Sequence, residues 1–325
     1  MIELRDIRKT FRVLNRKKGM LATMKAMFRR NYKEIHALGG VSFGVGEGEI
    51  VGFIGPNGAG KSTTIKVMSG ILVPDSGECS IMGFTPWVNR RKYVANIGVV
   101  FGQRMQLWWD VPVQDSYDLL RDIYSVPEAQ FRKTLGELTE ALDMGELLKT
   151  PLRQLSLGQR MRCEIAASLL HSPRILFLDE PTIGLDAVSK LAVRRFIRHI
   201  NETRKTTVIL TTHDMDDIEA LTDRIILIGK GNILYDGSMR KVRQQYDHMR
   251  TITVNFAECK EPVLPEGAEL VSWDRDHAVY RVDTDKVKMA AVLATLSEKL
   301  SIFDMTSETS PIEEIIAAMY REEQI

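Results

Sequence analysis

The chain has 325 residues, of which 44% are hydrophobic and 27% charged, with a net charge of +1. That length suggests about two globular domains at ~150 residues each, large enough to bury a core without disulfides, and the charge balance singles out no strongly basic or acidic partner. Cys79, Cys163 and Cys259 are odd in number, far apart and without a CxxC pair, which argues against a disulfide framework or zinc site and for reduced thiols in a cytosolic protein.

Residues 1–11 read as a short strand and turn. From Ile7 to Lys33 the chain holds ten Lys and Arg and no acid. Met20, Met24, Met27 and Phe28 fall on one helical face, with Lys18, Lys25 and Arg29 opposite. Residues 12–35 are therefore expected to be a basic amphipathic insertion. M-I-E-L-R-D-I-R-K lacks the apolar stretch of a signal peptide, and no apolar run reaches the ~18 residues of a membrane span.

From Gly39 to about Gly237 apolar strands alternate with helical segments: 50–54, 175–178, 208–212 and 225–228. Near-continuous apolar strands separated by helices predict an α/β domain with a largely parallel sheet. A helical subdomain is expected over about 105–170. Beyond Met239 the pattern changes. Residues 251–256 and 278–282 alternate with period two, and Met289, Val292, Leu293, Leu296 and Leu300 form a helical stripe. Ser310, Pro311 and Glu313 read as N-cap, N1 and N3 of a last helix. The reading is a first domain over 1–240 and a small α+β domain over 245–325.

G-P-N-G-A-G-K-S-T, Gly55 to Thr63, follows the strand at 50–54 and opens a helix. The residues are Gly55, Pro56, Asn57, Gly58, Ala59, Gly60, Lys61, Ser62 and Thr63. Such a loop turns backbone N–H groups around phosphates, and a helix N-terminus adds its dipole. Lys61 is placed to reach the β- and γ-phosphates, and Ser62 to give an oxygen to Mg²⁺. R-I-L-F-L-D-E, 174–180, is an acidic strand end: Asp179 can hold the Mg²⁺ shell and Glu180 can polarise an attacking water.

Taken together, G-P-N-G-A-G-K-S-T, V-V-F-G-Q (99–103), L-S-L-G-Q (155–159), I-L-F-L-D-E, G-L-D (184–186) and T-T-H-D (211–214) strongly resemble, in order, the ATP-binding subunits of ABC transporters. The resemblance covers residues 1 to about 237. It implies a P-loop NTPase core, with ATP and Mg²⁺ as the groups bound. It also implies a head-to-tail homodimer in which Ser156 and the N–H of Gly158, within a signature segment that includes Gln159, bind the γ-phosphate held by the other copy. Leu157 departs from the family's usual glycine and removes backbone freedom there. By the same resemblance Gln103 senses Mg²⁺ and water, Asp186 communicates across the dimer, and His213 holds the γ-phosphate and positions water. Phe11 is the expected adenine-stacking ring, with Tyr32 competing.

Trp108 and Trp109 follow Gln103 and admit two readings: a socket for a permease helix, or core packing. The basic insertion resembles those of ABC-2 type exporters, and suits an anionic membrane surface, a permease or plain solvent. No aromatic or modular feature supports nucleic-acid binding. The C-terminal segment resembles the accessory domain of such exporters, which contacts its twin. The overall expectation is an ATPase that drives export through separate permeases, peripheral to the cytoplasmic face of the membrane. The alternative is a soluble ABC ATPase of translation or DNA repair.

Overall fold

The computed structural model describes residues 1–14, 32–102, 104–246, 248–259 and 261–322. The chain divides into two compact units, Met1–Gly237 and Ser238–Ile325.

In the first unit, β1 (Ile2–Leu14) and β2 (Tyr32–Val45) form a long antiparallel pair that runs from Ile2 opposite Val45 to Leu14 opposite Tyr32, with shifts of register between Leu4 and Thr10. β4 (Ser76–Ile81) flanks β1 on its other side. This corrects the sequence reading at both ends of the insertion: residues 12–14 and 32–35 are strand, not helix. The reason is local. Phe11 and Val13 alternate with polar residues, and Arg12 pairs across to Glu34 at 3.0 Å, a cross-strand arrangement that favours sheet. The expected helical face of Met20, Met24, Met27 and Phe28, with Lys18, Lys25 and Arg29, lies outside the described residues.

The central sheet has the order β5-β6-β7-β3-β8-β9. Its members are β3 (Ile50–Ile54), β5 (Ile97–Phe101), β6 (Ile175–Asp179), β7 (Thr207–Thr211), β8 (Arg224–Gly229) and β9 (Asn232–Ser238). The pairs β5–β6, β6–β7, β7–β3 and β3–β8 are all parallel. The four apolar runs legible in the sequence lie in four of these strands, side by side in the sheet. They are apolar at successive positions because both faces are covered. Leu176, Leu178, Val208 and Leu210 pack with residues of α5 (Leu157–Leu169) and α6 (Ala187–Arg204). The alternate residues Ile175, Phe177 and Ile209 pack with α1 (Lys61–Met68) and the antiparallel sheet. Fully burying each such side chain is worth about 1.5–3 kcal/mol.

Further helices are α2 (Arg90–Val94), α3 (Val113–Tyr124), α4 (Glu128–Ala141) and α7 (Met215–Leu221). The helical stretch expected over 105–170 is thus built from α3, α4, a 3₁₀ turn at Leu152–Gln154 and α5.

The second unit contains α8 (Met239–Tyr246), β10 (Met249–Phe256), β11 (Ala268–Trp273), β12 (His277–Asp283), α9 (Met289–Lys299), β13 (Ile302–Thr309) and α10 (Ile312–Glu322). The sheet is antiparallel in the order β11-β12-β10-β13. Ile252, Val254, Phe256, Ala278, Tyr280 and Val282 bury one face against Val292 and Leu296 of α9. The Tyr280 hydroxyl donates to the carbonyl of Val263 at 2.9 Å. Ser310 Oγ donates to the carbonyl of Met249, tying the approach to α10 to β10.

Candidate functional site

The parallel register places the site. Asp179 at the end of β6 lies opposite Thr211 at the end of β7, and Phe53 on β3 is on the other side of Thr211. The loop after β3, the Glu180 turn and the Thr212–His213 segment therefore emerge at one edge, the carboxyl end of a parallel sheet where α/β folds bind ligands. A cleft of about 810 Å³ opens there, lined among the described residues by Gly55, Pro56, Asn57, Ser62, Asp179, Glu180 and His213, with Lys66, Ile71, Phe101, Gly102, Arg104 and Ile183.

Gly60 adopts φ +117° at the entry to α1, a conformation that glycine reaches without steric cost. Lys61 then starts the helix almost fully buried. Its Nζ donates to the carbonyls of Gly55 at 2.5 Å and Pro56 at 3.2 Å. Burial lowers the Lys61 pKa, while Glu180 and Asp179 pull it back up. Ser62 Oγ donates to Asp179 Oδ1 at 3.2 Å, and Thr211 Oγ1 donates to the same oxygen at 2.6 Å. Glu180 has φ +56°, and its N–H is held by Thr211 through the carbonyl at 3.0 Å and the hydroxyl at 3.1 Å. His213 Nδ1 lies 3.6 Å from Glu180 Oε1; the glutamate side chain is 19% exposed and the histidine 59%. The site thus offers a hydroxyl–carboxylate pair of hard oxygens and a carboxylate–imidazole pair facing one cleft, with the Lys61 amine bonded to the carbonyls of the loop that lines it.

The L-S-L-G-Q segment is elsewhere on the unit. Ser156 caps α5. Its hydroxyl accepts from the Gln159 N–H at 3.3 Å, and Gln159 Oε1 accepts from the Ser156 N–H at 2.8 Å. The Gln159 side chain is therefore engaged in the helix cap. Leu157 has no positive φ, so a side chain costs no backbone strain there. Gly158 is packed on α6: a Cβ would lie 2.2 Å from Ser189 Oγ and 2.8 Å from Ser189 Cβ. Ser189 is fixed in turn, since Asp186 caps α6 by accepting its N–H and its hydroxyl, both at 2.9 Å. Those bonds to Ser189 hold the Asp186 carboxyl below its usual pKa. Gly158→Ala should destabilise the protein by about 1–3 kcal/mol through overpacking, read as a lowered melting temperature; unchanged melting would show that Ser189 can move aside.

Ser156, Gly158, Gln159 and Asp186 do not line the cleft that holds the phosphate loop, and neither does Phe11, which is 37% exposed on β1. Gly58, Ala59, Gly60, Lys61 and Thr63 belong to the loop and first turn of α1. Gln103 lies outside the described residues. Trp108 and Trp109 are 53% and 48% exposed, which rules out core packing, and the Arg160 guanidinium stands 4.5 Å over the Trp109 ring.

Two sets of contacts around the site escaped the sequence reading. Thr211 organises both Asp179 and Glu180; its signal was a hydroxyl residue ending an apolar strand just before Thr212 and His213. Glu164, 3% exposed on α5, accepts the backbone N–H groups of Gln106 at 3.1 Å and Leu107 at 3.0 Å. It fastens the segment after Gln103 to the helix that Ser156 caps. Its signal was an acid inside an otherwise apolar helical face.

Fold and site together define a nucleotide-binding cassette. The family described as ABC transporter matches residues 38–183. Nod factor export ATP-binding protein I of Ralstonia nicotianae is 34% identical, the alignment covering 76% of this chain and 80% of that protein. The probable multidrug ABC transporter ATP-binding protein YbhF of Escherichia coli is 32% identical over 77% of this chain; the chain spans 42% of YbhF's length. A solved dimeric ATP-binding cassette in a post-hydrolysis state, bound to ADP and Pi, is 26% identical with a TM-score of 0.61, covering 74% of this chain and 99% of that one. The chain belongs to the ATP-binding proteins of the ABC transporter family, and its cassette is that of an ATPase. Among the described residues no helix is long and apolar enough to cross a membrane.

Proposed function

We propose that the protein is the ATP-hydrolysing subunit of an ABC-2 type exporter, in which two copies clamp two ATP molecules and drive separate permease subunits. One observation carries this reading. Ser156, Gly158 and Asp186 are gathered into a preformed, capped cluster, yet they stand outside the cleft lined by Ser62, Asp179, Glu180 and His213. A second copy facing head to tail would bring each cluster to the other copy's cleft.

In that complex the loop from Gly55 to Thr63 holds the phosphates, and Lys61 neutralises the β- and γ-oxygens. Phe11 stacks on adenine. The Ser62–Asp179 pair supplies the hard oxygens that Mg²⁺ requires, with Gln103 as a further contact; the ion, when bound, neutralises phosphate charge. Glu180 accepts the proton of the attacking water, His213 orients that water, and the partner's copy of the Ser156–Gly158 segment meets the γ-phosphate. Asp186 sits where the two copies meet.

Relatives named for multidrug transport and Nod factor export support the export direction. The exposed Trp108–Trp109 surface offers a permease an apolar contact, and the second unit is read as an accessory dimerisation domain. The chain is then peripheral, at the cytoplasmic face of the membrane. The test is capture of tagged Glu180→Gln protein from detergent-solubilised native membranes with MgATP, followed by mass spectrometry. Stoichiometric multi-spanning proteins are the expected result; recovery of ribosomes, DNA or soluble proteins alone would overturn the transport reading.

A further inference from the structure

Behind Glu180 and His213 lies a charge network that the mechanism above does not use. Lys190 and Arg194 stand four residues apart on α6, and so on one face of that helix. Asp214 and Asp217 stand at the start of α7. Lys190 Nζ donates to Asp214 Oδ2, Arg194 Nη2 reaches Asp214 Oδ1 at 3.4 Å, and Arg194 Nε donates to Asp217 Oδ1. The Asp217 side chain is wholly buried. Its second oxygen, Oδ2, accepts from the hydroxyls of Thr212, at 3.1 Å, and Thr182. Thr212 Oγ1 in turn accepts the Asp214 N–H at 2.9 Å.

These partners are placed by sequence. Thr182 stands two residues after Glu180. Thr212 and Asp214 flank His213. Arg194 belongs to the helix that Asp186 caps. One buried carboxylate thus holds the turn after Glu180, the segment before His213 and α6 in a single arrangement. A carboxylate buried this deeply persists only with its charge and lone pairs matched, and here three donors from three segments do so.

We propose that Asp217 is a positioning residue for ATP hydrolysis: it fixes the spacing of Glu180 and His213, and ties both to the helix that begins at Asp186. The inference rests on reading Glu180 and His213 as the residues that activate and orient water. Neither oxygen of Asp217 needs to touch nucleotide. Its effect is on where the two reacting-site side chains stand, and a displacement of about 1 Å can cost ~10²-fold in rate.

The test is steady-state ATP turnover of the purified chain, with rates normalised to protein competent to bind nucleotide. Asp217→Asn keeps the shape, removes the charge that answers Arg194 and leaves a single accepting oxygen. It is expected to lower kcat by about 10–10²-fold with KM for ATP little changed. Thr182→Val and Thr212→Val each remove one hydroxyl at nearly constant volume. Each is expected to lower kcat at unchanged KM, and the double variant to fall short of the summed effects, since both act through one carboxylate. A purely structural role would lower the melting temperature while leaving the normalised kcat intact. Native normalised kcat in Asp217→Asn overturns the proposal. If that variant does not fold, native kcat in both threonine variants overturns it instead. Glu180→Gln and His213→Ala run alongside separate the two levels: full turnover in these sinks the underlying mechanism, whereas their inactivity beside a fully active Asp217→Asn sinks the positioning role alone.

Discussion

Glu180→Gln is expected to lower ATP turnover by about 10²–10⁴-fold, the usual worth of a positioned general base, while leaving nucleotide binding intact. The glutamate is held at φ +56°, a backbone state that costs a non-glycine residue about 1–3 kcal/mol. Two contacts from Thr211 to its N–H enforce that state, and its carboxylate is thereby held 3.6 Å from His213 Nδ1. Glutamine keeps the size and the backbone geometry and loses only the ability to accept a proton. Lys61, Ser62 and Asp179, the proposed ligands of phosphate and its counter-ion, are untouched. ATP should therefore stay bound and uncleaved, and the clamped pair of chains should accumulate. Size-exclusion chromatography with and without MgATP reads the second effect, and phosphate release the first. Turnover at the native rate would remove Glu180 from the base's role.

Ser156→Arg is expected to abolish hydrolysis without weakening ATP binding by a single copy. The substitution removes the hydroxyl that caps α5, at a cost of about 0.5–2 kcal/mol, and places a long cation where the partner's γ-phosphate would arrive. The cleft with the phosphate loop contains no part of the Ser156 segment, so the affinity of the isolated chain for nucleotide should be unchanged by equilibrium binding. Hydrolysis surviving in this variant would show that the capped cluster serves its own helix and nothing else.

The site was legible where its residues are contiguous. A loop that wraps phosphate with consecutive N–H groups must be written as consecutive residues, so Gly55–Thr63 could be read directly. The acidic end of β6 was visible because an apolar strand buried on both faces makes the following Asp179 and Glu180 stand out. Thr182, Arg194, Thr212 and Asp217 were not legible. They come from separate segments, and only the parallel pairing of β6 with β7 and the packing of α6 on α7 bring them together. The hairpin at 12–14 and 32–35 was missed because a basic composition there resembles a helical face, while cross-strand partners such as Arg12 and Glu34 are 22 residues apart. In the second unit β13 was missed for the opposite reason. It is an edge strand with almost every side chain exposed, so no alternation of apolar residues marks it. Leu157 raised a question that only backbone geometry answers: as the first residue of α5, outside the left-handed region, it needs none of glycine's freedom.

The sharing of each site between two copies is tested most directly by mixing Ser156→Arg with Glu180→Gln. Each protein alone is expected to be inactive. A mixed pair contains one site that joins the intact cleft of the Ser156→Arg chain to the intact Ser156 segment of the Glu180→Gln chain, and turnover should reappear on mixing. Phosphate release measured across mixing ratios gives the answer. Turnover that peaks near equal amounts is the predicted result; turnover no greater than the sum of the separate proteins at every ratio would contradict it.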